Sequence, residues 1–158
     1  MTSALVLGWE EWVALPELGL PAIKAKVDTG AKTSALHAFL IEPFGQPGRP
    51  SVRFGIHPAP RRSEIELFCT APVVDTRDIT SSNGERERRY VIRTVLRIAG
   101  QQWPIEVTLT NRSEMSYRML LGRQALRPGM LIDPAASFHQ PRLGYKLYGV
   151  PRRKAKLA

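Results

Sequence analysis

Apolar and polar residues alternate over several short stretches of the chain, the period of strands that bury one face. In Leu20 to Val27, the residues Ile23, Ala25 and Val27 share one side while Lys24 and Lys26 take the other. Between Ser63 and Thr70, Ile65, Leu67 and Cys69 alternate with Glu64 and Glu66. From Arg89 to Ile98, Tyr90, Ile92, Leu96 and Ile98 form one face; Arg89, Arg93 and Arg97 lie on the other, interleaved with Val91 and Val95. Trp103, Ile105, Val107 and Leu109 share a face between Gln101 and Thr110, and Ala99-Gly100-Gln101-Gln102 predicts the hairpin turn before them. Only Arg123 to Leu126 suggests a helix, stopped by Pro128-Gly129. Residues 42–62 hold five prolines and three glycines and predict a surface excursion between strands. The pattern is all-β: a closed barrel or sandwich with one short C-terminal helix. It predicts a single domain over residues 1–150 and a frayed basic tail over 151–158.

Composition narrows the class. A chain of 158 residues can bury one core, and 43% hydrophobic content excludes a disordered tail. No apolar run approaches a membrane span, and Met1 to Trp9 lacks the features of a signal peptide. Cys69 is the single cysteine, so no disulfide forms within the chain, which suits a reducing cytoplasm. Twenty-three Lys and Arg against 14 Asp and Glu give a net charge of +9. That excess favours an anionic partner (nucleic acid, a membrane surface or an acidic peptide) or is a solvated basic surface. Aromatic residues are only 8%, and none alternates with basic residues in an RNA-binding pattern, which disfavours nucleic acid.

Several chemistries lack residues. His37, His57 and His139 lie far apart in sequence, no His-Glu-x-x-His occurs, and a zinc site would have to be assembled from distant ligands. There is no glycine-rich phosphate loop and no Gly-x-Ser-x-Gly elbow. No metal or cofactor is expected. Asp28 stands out: it follows an alternating strand and precedes Thr29-Gly30-Ala31. A carboxylate on a tight glycine turn at a strand end is aimed outward, Gly30 permits close approach, and Thr29 can bond the neighbouring backbone. The alternative is a plain Asp-Thr-Gly turn. Downstream, Met119-Leu120-Leu121-Gly122-Arg123 is an apolar strand ending in Gly-Arg.

Apolar-Asp-Thr-Gly-Ala, then strands, then apolar-apolar-Gly-Arg and a helix, resembles the retropepsins, the viral-type aspartic peptidases. The resemblance sharpens through Gly8-Trp9-Glu10-Glu11-Trp12-Val13-Ala14-Leu15-Pro16, the run from Ile23 to Ala38, Asp75-Thr76-Arg77, Thr80-Ser81-Ser82-Asn83-Gly84, Leu109-Thr110-Asn111-Arg112 and Met119 to Leu126. These are similar to a bacterial retropepsin-like family often labelled "ATP-dependent zinc protease", associated with the ATP-grasp ligase RimK and including RimB. No residue supports the ATP or the zinc of that label. Glu10 departs from the pattern, where a basic residue is expected.

The resemblance implies a homodimer, because each retropepsin subunit supplies one aspartate. Asp28, Thr29 and Gly30 would form the catalytic triplet, and the two Asp28 carboxylates would share one proton. It also implies a flap, for which Asp75 to Arg89 is the candidate, with Ser81-Ser82-Asn83-Gly84 at its tip. An ordinary exposed hairpin is the alternative. Ala31, Lys32, Thr33, Arg77 and Arg123 would meet substrate. Viral members carry an acidic residue after Asp-Thr-Gly-Ala that pairs with the arginine of the Gly-Arg element; here the position is Lys32. Lys32 and Arg123 would be like charges near the cleft, with Arg77, Arg86 and Arg88 extending the positive field, unless Lys32 faces solvent or finds an acid elsewhere. An acidic substrate such as the glutamate tail that a RimK-type ligase adds to a ribosomal protein would supply the missing anion. Rival readings are a basic ribosome- or RNA-binding module and a non-catalytic regulator of the ligase.

Overall fold

The structure is a computed structural model and describes residues 5–81 and 83–151. Its strands are β1 (Val6–Gly8), β2 (Glu10–Leu15), β3 (Leu20–Asp28), β4 (Ser34–His37), β5 (Leu40–Gln46), β6 (Arg49–Ile56), β7 (Leu67–Thr80), β8 (Arg86–Ile98), β9 (Gln101–Thr110), β10 (Met119–Gly122) and β11 (Leu131–Asp133). Nine of them form one sheet in the order β2-β3-β10-β4-β9-β8-β7-β6-β5. A further pairing of β2 with β8, through Ala14 and Arg97, closes the first part of that order into a ring. The remaining strands, β7, β6 and β5, extend from it as a meander. β1 and β11 form a separate parallel pair. Among the described residues no helix is long and apolar enough to cross a membrane.

The ring is closed around the apolar faces read from the sequence. Ile23, Ala25 and Val27 of β3, Ile92, Leu96 and Ile98 of β8, and Ile105, Val107 and Leu109 of β9 all lie in one buried cluster. Each fully buried Leu, Ile or Phe contributes about 2 kcal/mol of transfer free energy, so this cluster is the main drive to fold. The β8–β9 turn is tighter than expected. Ala99 and Gly100 both have positive φ, at 53° and 77°, and Gln101 already pairs with Ile98. Those signs give a two-residue primed turn whose twist matches the strands.

Four expectations need correction. Residues 42–62 are no mere excursion, because β5 and β6 form a hairpin across them, with Gln46 opposite Arg49. Pro43 is tolerated because β5 is the last strand of the sheet and pairs only with β6. The alternation from Ser63 begins in a turn, and the strand starts only at Leu67. Turn hydrogen bonds from Arg62 to Ala59 and from Ile65 to Arg62 close that region and plug Ile65 into the interior. Arg89 leaves the solvent stripe and is buried, whereas Arg93 and Arg97 are exposed. Finally, the short helix is a single 3₁₀ turn, Arg123–Ala125, between extended Gly122 and Leu126. Two more such turns occur, Pro16–Leu18 and Tyr145–Tyr148. Segments of three or four residues cannot nucleate an α-helix. The predicted tail, apart from Pro151, lies outside the described residues.

The C-terminal segment is strapped to β2 by two adjacent carboxylates. Glu11 is completely buried, and it accepts the backbone N–H groups of Gly8 at 2.7 Å, His139 at 2.8 Å and Gln140 at 3.1 Å. Glu10 accepts the Tyr117 hydroxyl at 2.9 Å and the Ser137 hydroxyl at 3.1 Å. The acidic residue where a basic one was expected therefore has a structural use.

Candidate active site

β3 delivers Asp28 at its last position, and the chain then loops through residues 29–33 to β4. β10 runs between the two arms of this loop. It pairs parallel to β3, with Gly122 opposite Asp28, and antiparallel to β4, with Leu120 opposite Ala35. Hydrogen bonds hold the loop along most of its length. The Gly30 N–H donates to Asp28 Oδ1 at 3.1 Å, and the Ala31 N–H donates to the Asp28 carbonyl at 3.1 Å. The Arg123 and Gln124 N–H groups donate to the carbonyls of Ala31 (2.8 Å) and Lys32 (3.1 Å). The Gly122 N–H donates to Ser34 Oγ at 3.1 Å. Asp28 is half-buried, while Thr29 and Gly30 are exposed. The turn is thus closed by Gly30 and Ala31 rather than by the Thr29 hydroxyl.

Gly122 has no space for a side chain. A Cβ there would lie 2.6 Å from Thr33 C and 2.9 Å from Lys32 C, both backbone atoms. Gly122→Ala should therefore push the loop away from β10 and destabilise the chain by about 2 kcal/mol, read as a lower midpoint in denaturant unfolding.

Beside the loop lies a groove of about 660 Å³. Gly30, Ala31, Lys32, Thr33 and Gln124 line it together with Arg77 to Thr80 of β7 and with Arg89, Glu106 and Thr108. Arg77 and Arg89 sit directly opposite each other in the β7–β8 ladder. Like charges in that position repel, and each is held by its own acid. Arg77 donates to Glu106 at 2.9 Å and to Asp75 at 2.7 Å. Those bonds raise the Arg77 pKa, while Arg77 and the Thr76 N–H hold the Asp75 carboxyl below its ordinary value. Arg89 donates to Glu87 at 3.0 Å and Thr108 at 3.4 Å. Lys32 is exposed and has no ion pair with a described carboxylate. Arg123 is also exposed, but its guanidinium donates to the Gly30 carbonyl at 3.4 Å and does not line the groove. It therefore braces the loop from behind, in the place where the viral pattern has an arginine–carboxylate pair.

The candidate flap is the end of the β7–β8 hairpin. Asp78 faces Arg88 and Thr80 faces Arg86 across its ladder. At the tip, the Ser81 N–H donates to the Glu85 carbonyl at 2.8 Å, and the Glu85 N–H donates to Asn83 Oδ1 at 3.1 Å. The Gly84 φ of 86° fits a turn that only glycine makes freely. Ser82 lies outside the described residues. Arg86 and Arg88 are exposed, and Arg88 bonds Thr76 and Asp78 on the neighbouring strand. The groove thus gathers Gly30, Ala31, Lys32, Thr33 and Arg77 of the expected set. Arg89, Glu106, Thr108 and Gln124 were missed. Their meeting depends on which sheet face the loop covers, and local alternation does not carry that information.

Other reactive groups are occupied elsewhere. Burial pushes the Cys69 thiol up to about 11, which leaves it a poor nucleophile. Among the described residues no group of three His, Cys, Asp or Glu converges as metal ligands. His37 accepts the Arg112 N–H at 2.9 Å through Nδ1. Burial, and then the nearby Arg118 charge, holds its imidazole below the ordinary value. The neutral ring is the folded form. Its contribution is complete above the unfolded pKa of about 6.5 and is lost as pH falls through the folded value. Melting temperatures should accordingly decline from pH 7 to pH 5, and His37→Gln should flatten that decline.

The fold and the sequence match known proteins. Residues 6–143 match the family described as RimB-like, retropepsin-like aspartic endopeptidase RimB. A protein of Shewanella pealeana named probable alpha-L-glutamate ligase is 50% identical over 156 residues, which is 96% of this chain and 34% of that protein. A protein of the same name from Shewanella halifaxensis is 53% identical over 136 residues, 86% of this chain and 30% of that one. The chain thus spans about a third of the length of these relatives. A crystal structure of a Legionella pneumophila protein of unknown function superposes with a TM-score of 0.72 at 30% identity, covering 87% of this chain and 98% of that one. With most of its length matched and its Asp-Thr-Gly-Ala loop crossed by β10, the chain belongs to the RimB-like family of retropepsin-like aspartic endopeptidases.

Proposed function

We propose that this chain is one subunit of a homodimeric, cytoplasmic aspartic endopeptidase that cuts acidic peptides, with glutamate tails as its substrate. The observation that carries the reading is the Asp28 loop, clamped between β3, β10 and β4 beside a groove that offers Lys32 without a counter-ion. One chain holds one Asp-Thr-Gly, so the site needs a second copy. In the dimer the two Asp28 carboxylates hold one proton between them. The ionised one takes a proton from a bound water, whose oxygen attacks the scissile carbonyl carbon. The protonated one donates to the carbonyl oxygen. Collapse of the tetrahedral adduct breaks the C–N bond, and the leaving nitrogen takes up a proton from the pair. No covalent enzyme intermediate forms.

Acidic selectivity follows from charge. Lys32, Arg77 and Arg89 line the groove against Glu106 and Asp78. Both of those acids are already bonded to arginines, so Lys32 remains for a substrate carboxylate. The decisive comparison is a peptide ending in several glutamates against its glutamine isostere. The glutamate peptide should be cut faster, and added salt should erase part of the difference. Lys32→Gln should lower kcat/KM for the glutamate peptide about threefold and leave the glutamine peptide unchanged, as suits one exposed charge. Cutting of the glutamine peptide with the glutamate tail left intact would end the acidic-substrate reading.

A second reading is favoured by the relatives, in which the matching part is about a third of a protein named probable alpha-L-glutamate ligase. There the domain would act on a ligase as a regulator without cutting. Ligase activity that responds equally to wild type and to Asp28→Asn would support this second reading over the first.

A further inference from the structure

A second cavity, of about 290 Å³, lies at the end of the β3–β10 ribbon away from Asp28. Lys24 and Arg118 immediately precede the Ala25–Met119 pair there, and both line it together with Glu10, Tyr117 and Tyr145. None of its lining residues lines the groove beside the Asp28 loop.

Two of its polar groups find no partner among the described residues. Arg118 Nε and the Tyr145 hydroxyl are buried and bond no described residue. Buried donors without acceptors are costly, and such orphans in folded proteins call for a partner. The Arg118 guanidinium also makes no ion pair with a described carboxylate. The Lys24 ammonium sits over aromatic faces, 5.2 Å from the Trp12 ring and 5.8 Å from the Phe138 ring. Among the described residues that line the cavity, Glu10 is the only acid. Its carboxylate receives two hydroxyls and keeps lone pairs for a further donor. The walls therefore present two cations, one of them the unpaired Arg118, one anion and the orphan Tyr145 hydroxyl.

A ligand with two carboxylates and one ammonium matches that set group for group. We propose that this cavity binds a free acidic amino acid. One carboxylate takes the Arg118 fork and the Tyr145 hydroxyl, the other neutralises Lys24, and the ammonium donates to Glu10. The planar guanidinium suits bidentate carboxylate recognition. The site stands whether or not the chain cuts peptides.

Isothermal titration calorimetry tests this with L-glutamate, glutarate and inorganic phosphate as probes. Glutamate should bind saturably at one site per chain, and more tightly than glutarate, which lacks the ammonium, or phosphate. Arg118→Met should weaken glutamate at least about tenfold. Tyr145→Phe should weaken it severalfold while leaving the melting temperature equal or higher, because the lost hydroxyl had no partner. Lys32→Gln, in the groove, should not change it. The proposal is overturned by absence of saturable binding, by glutamate affinity that survives both cavity substitutions, or by glutarate or phosphate binding as tightly as glutamate. Should Arg118→Met fail to fold, Tyr145→Phe decides alone.

Discussion

Asp28→Asn should lower kcat/KM for a glutamate-tailed peptide by at least about 10³-fold, because it removes both the base and the acid of the proposed dimeric site at one stroke. The substitution is nearly isosteric. Asn can still accept the Gly30 N–H bond that Asp28 Oδ1 accepts at 3.1 Å. Asp28 is half-buried at a strand end, and the other bonds that hold its loop use its backbone carbonyl, residues 31–34 and residues 122–124, none of which the substitution changes. The variant should therefore melt within about 2 °C of wild type, a surface-sized effect on stability. A mixing experiment sharpens the test. If each site needs one carboxylate from each of two subunits, then wild type equilibrated with excess Asp28→Asn loses activity faster than in proportion to dilution. Activity follows the square of the wild-type fraction when subunits exchange freely and one carboxylate is not enough. A linear fall would mean that each chain acts alone and would sink the dimeric mechanism, even if Asp28 proved essential.

The parts of this molecule legible in the sequence are those whose information is local. β3, β8 and β9 alternate over many residues, and their apolar faces are buried, Tyr90 and Trp103 only in part, although Val91 on the arginine face of β8 is buried as well. The Asp28 turn is written in consecutive residues, and Gly122 marks where a strand passes too close for a Cβ. What escaped depends on neighbours distant in sequence. Pro43 argues against a strand until β5 is known to be an edge. Arg89 shares its alternation with Arg93, yet only Arg89 is buried, bonded to Glu87 and to Thr108 of the neighbouring strand. The closure of the ring rests on the pairing of Ala14 with Arg97, separated by most of the domain. Charge is non-local in the same way: of the arginines read as extending the positive field, Arg77 is engaged by Asp75 and Glu106 and Arg88 by Asp78, while Arg86 stays exposed outside the groove, so the groove's cation without an ion pair is Lys32.

Glu11 shows the same gap most sharply, and it carries the largest expected change in stability. In the sequence it is one of two adjacent glutamates in a short apolar stretch, with nothing to separate it from its neighbour. In the fold it is 0% exposed, and its two oxygens take N–H groups from Gly8, His139 and Gln140. A buried carboxylate is tolerated because these charge-assisted bonds replace water. They also join the start of the chain to a segment near residue 140 that otherwise has little regular structure. Glu11→Ala removes the acceptor and leaves three N–H groups unpaired, each costing about 1–3 kcal/mol if it stays buried. Part of that cost is escaped if residues 136–140 peel away and hydrate, which forfeits the bonds from Trp9 to Ala136 and from Phe138 to Glu10 instead. The expected net loss is about 4 kcal/mol, or on the order of 10 °C in melting temperature for a domain of this size. Glu11→Gln, which keeps one oxygen acceptor, should lose roughly half as much. Hydrogen exchange should locate the damage, with the His139 and Gln140 amides losing protection before those of β8 and β9. Glu11→Ala melting like wild type, with residues 139–140 still protected, would mean that the strap is held by side-chain packing and that the carboxylate is dispensable.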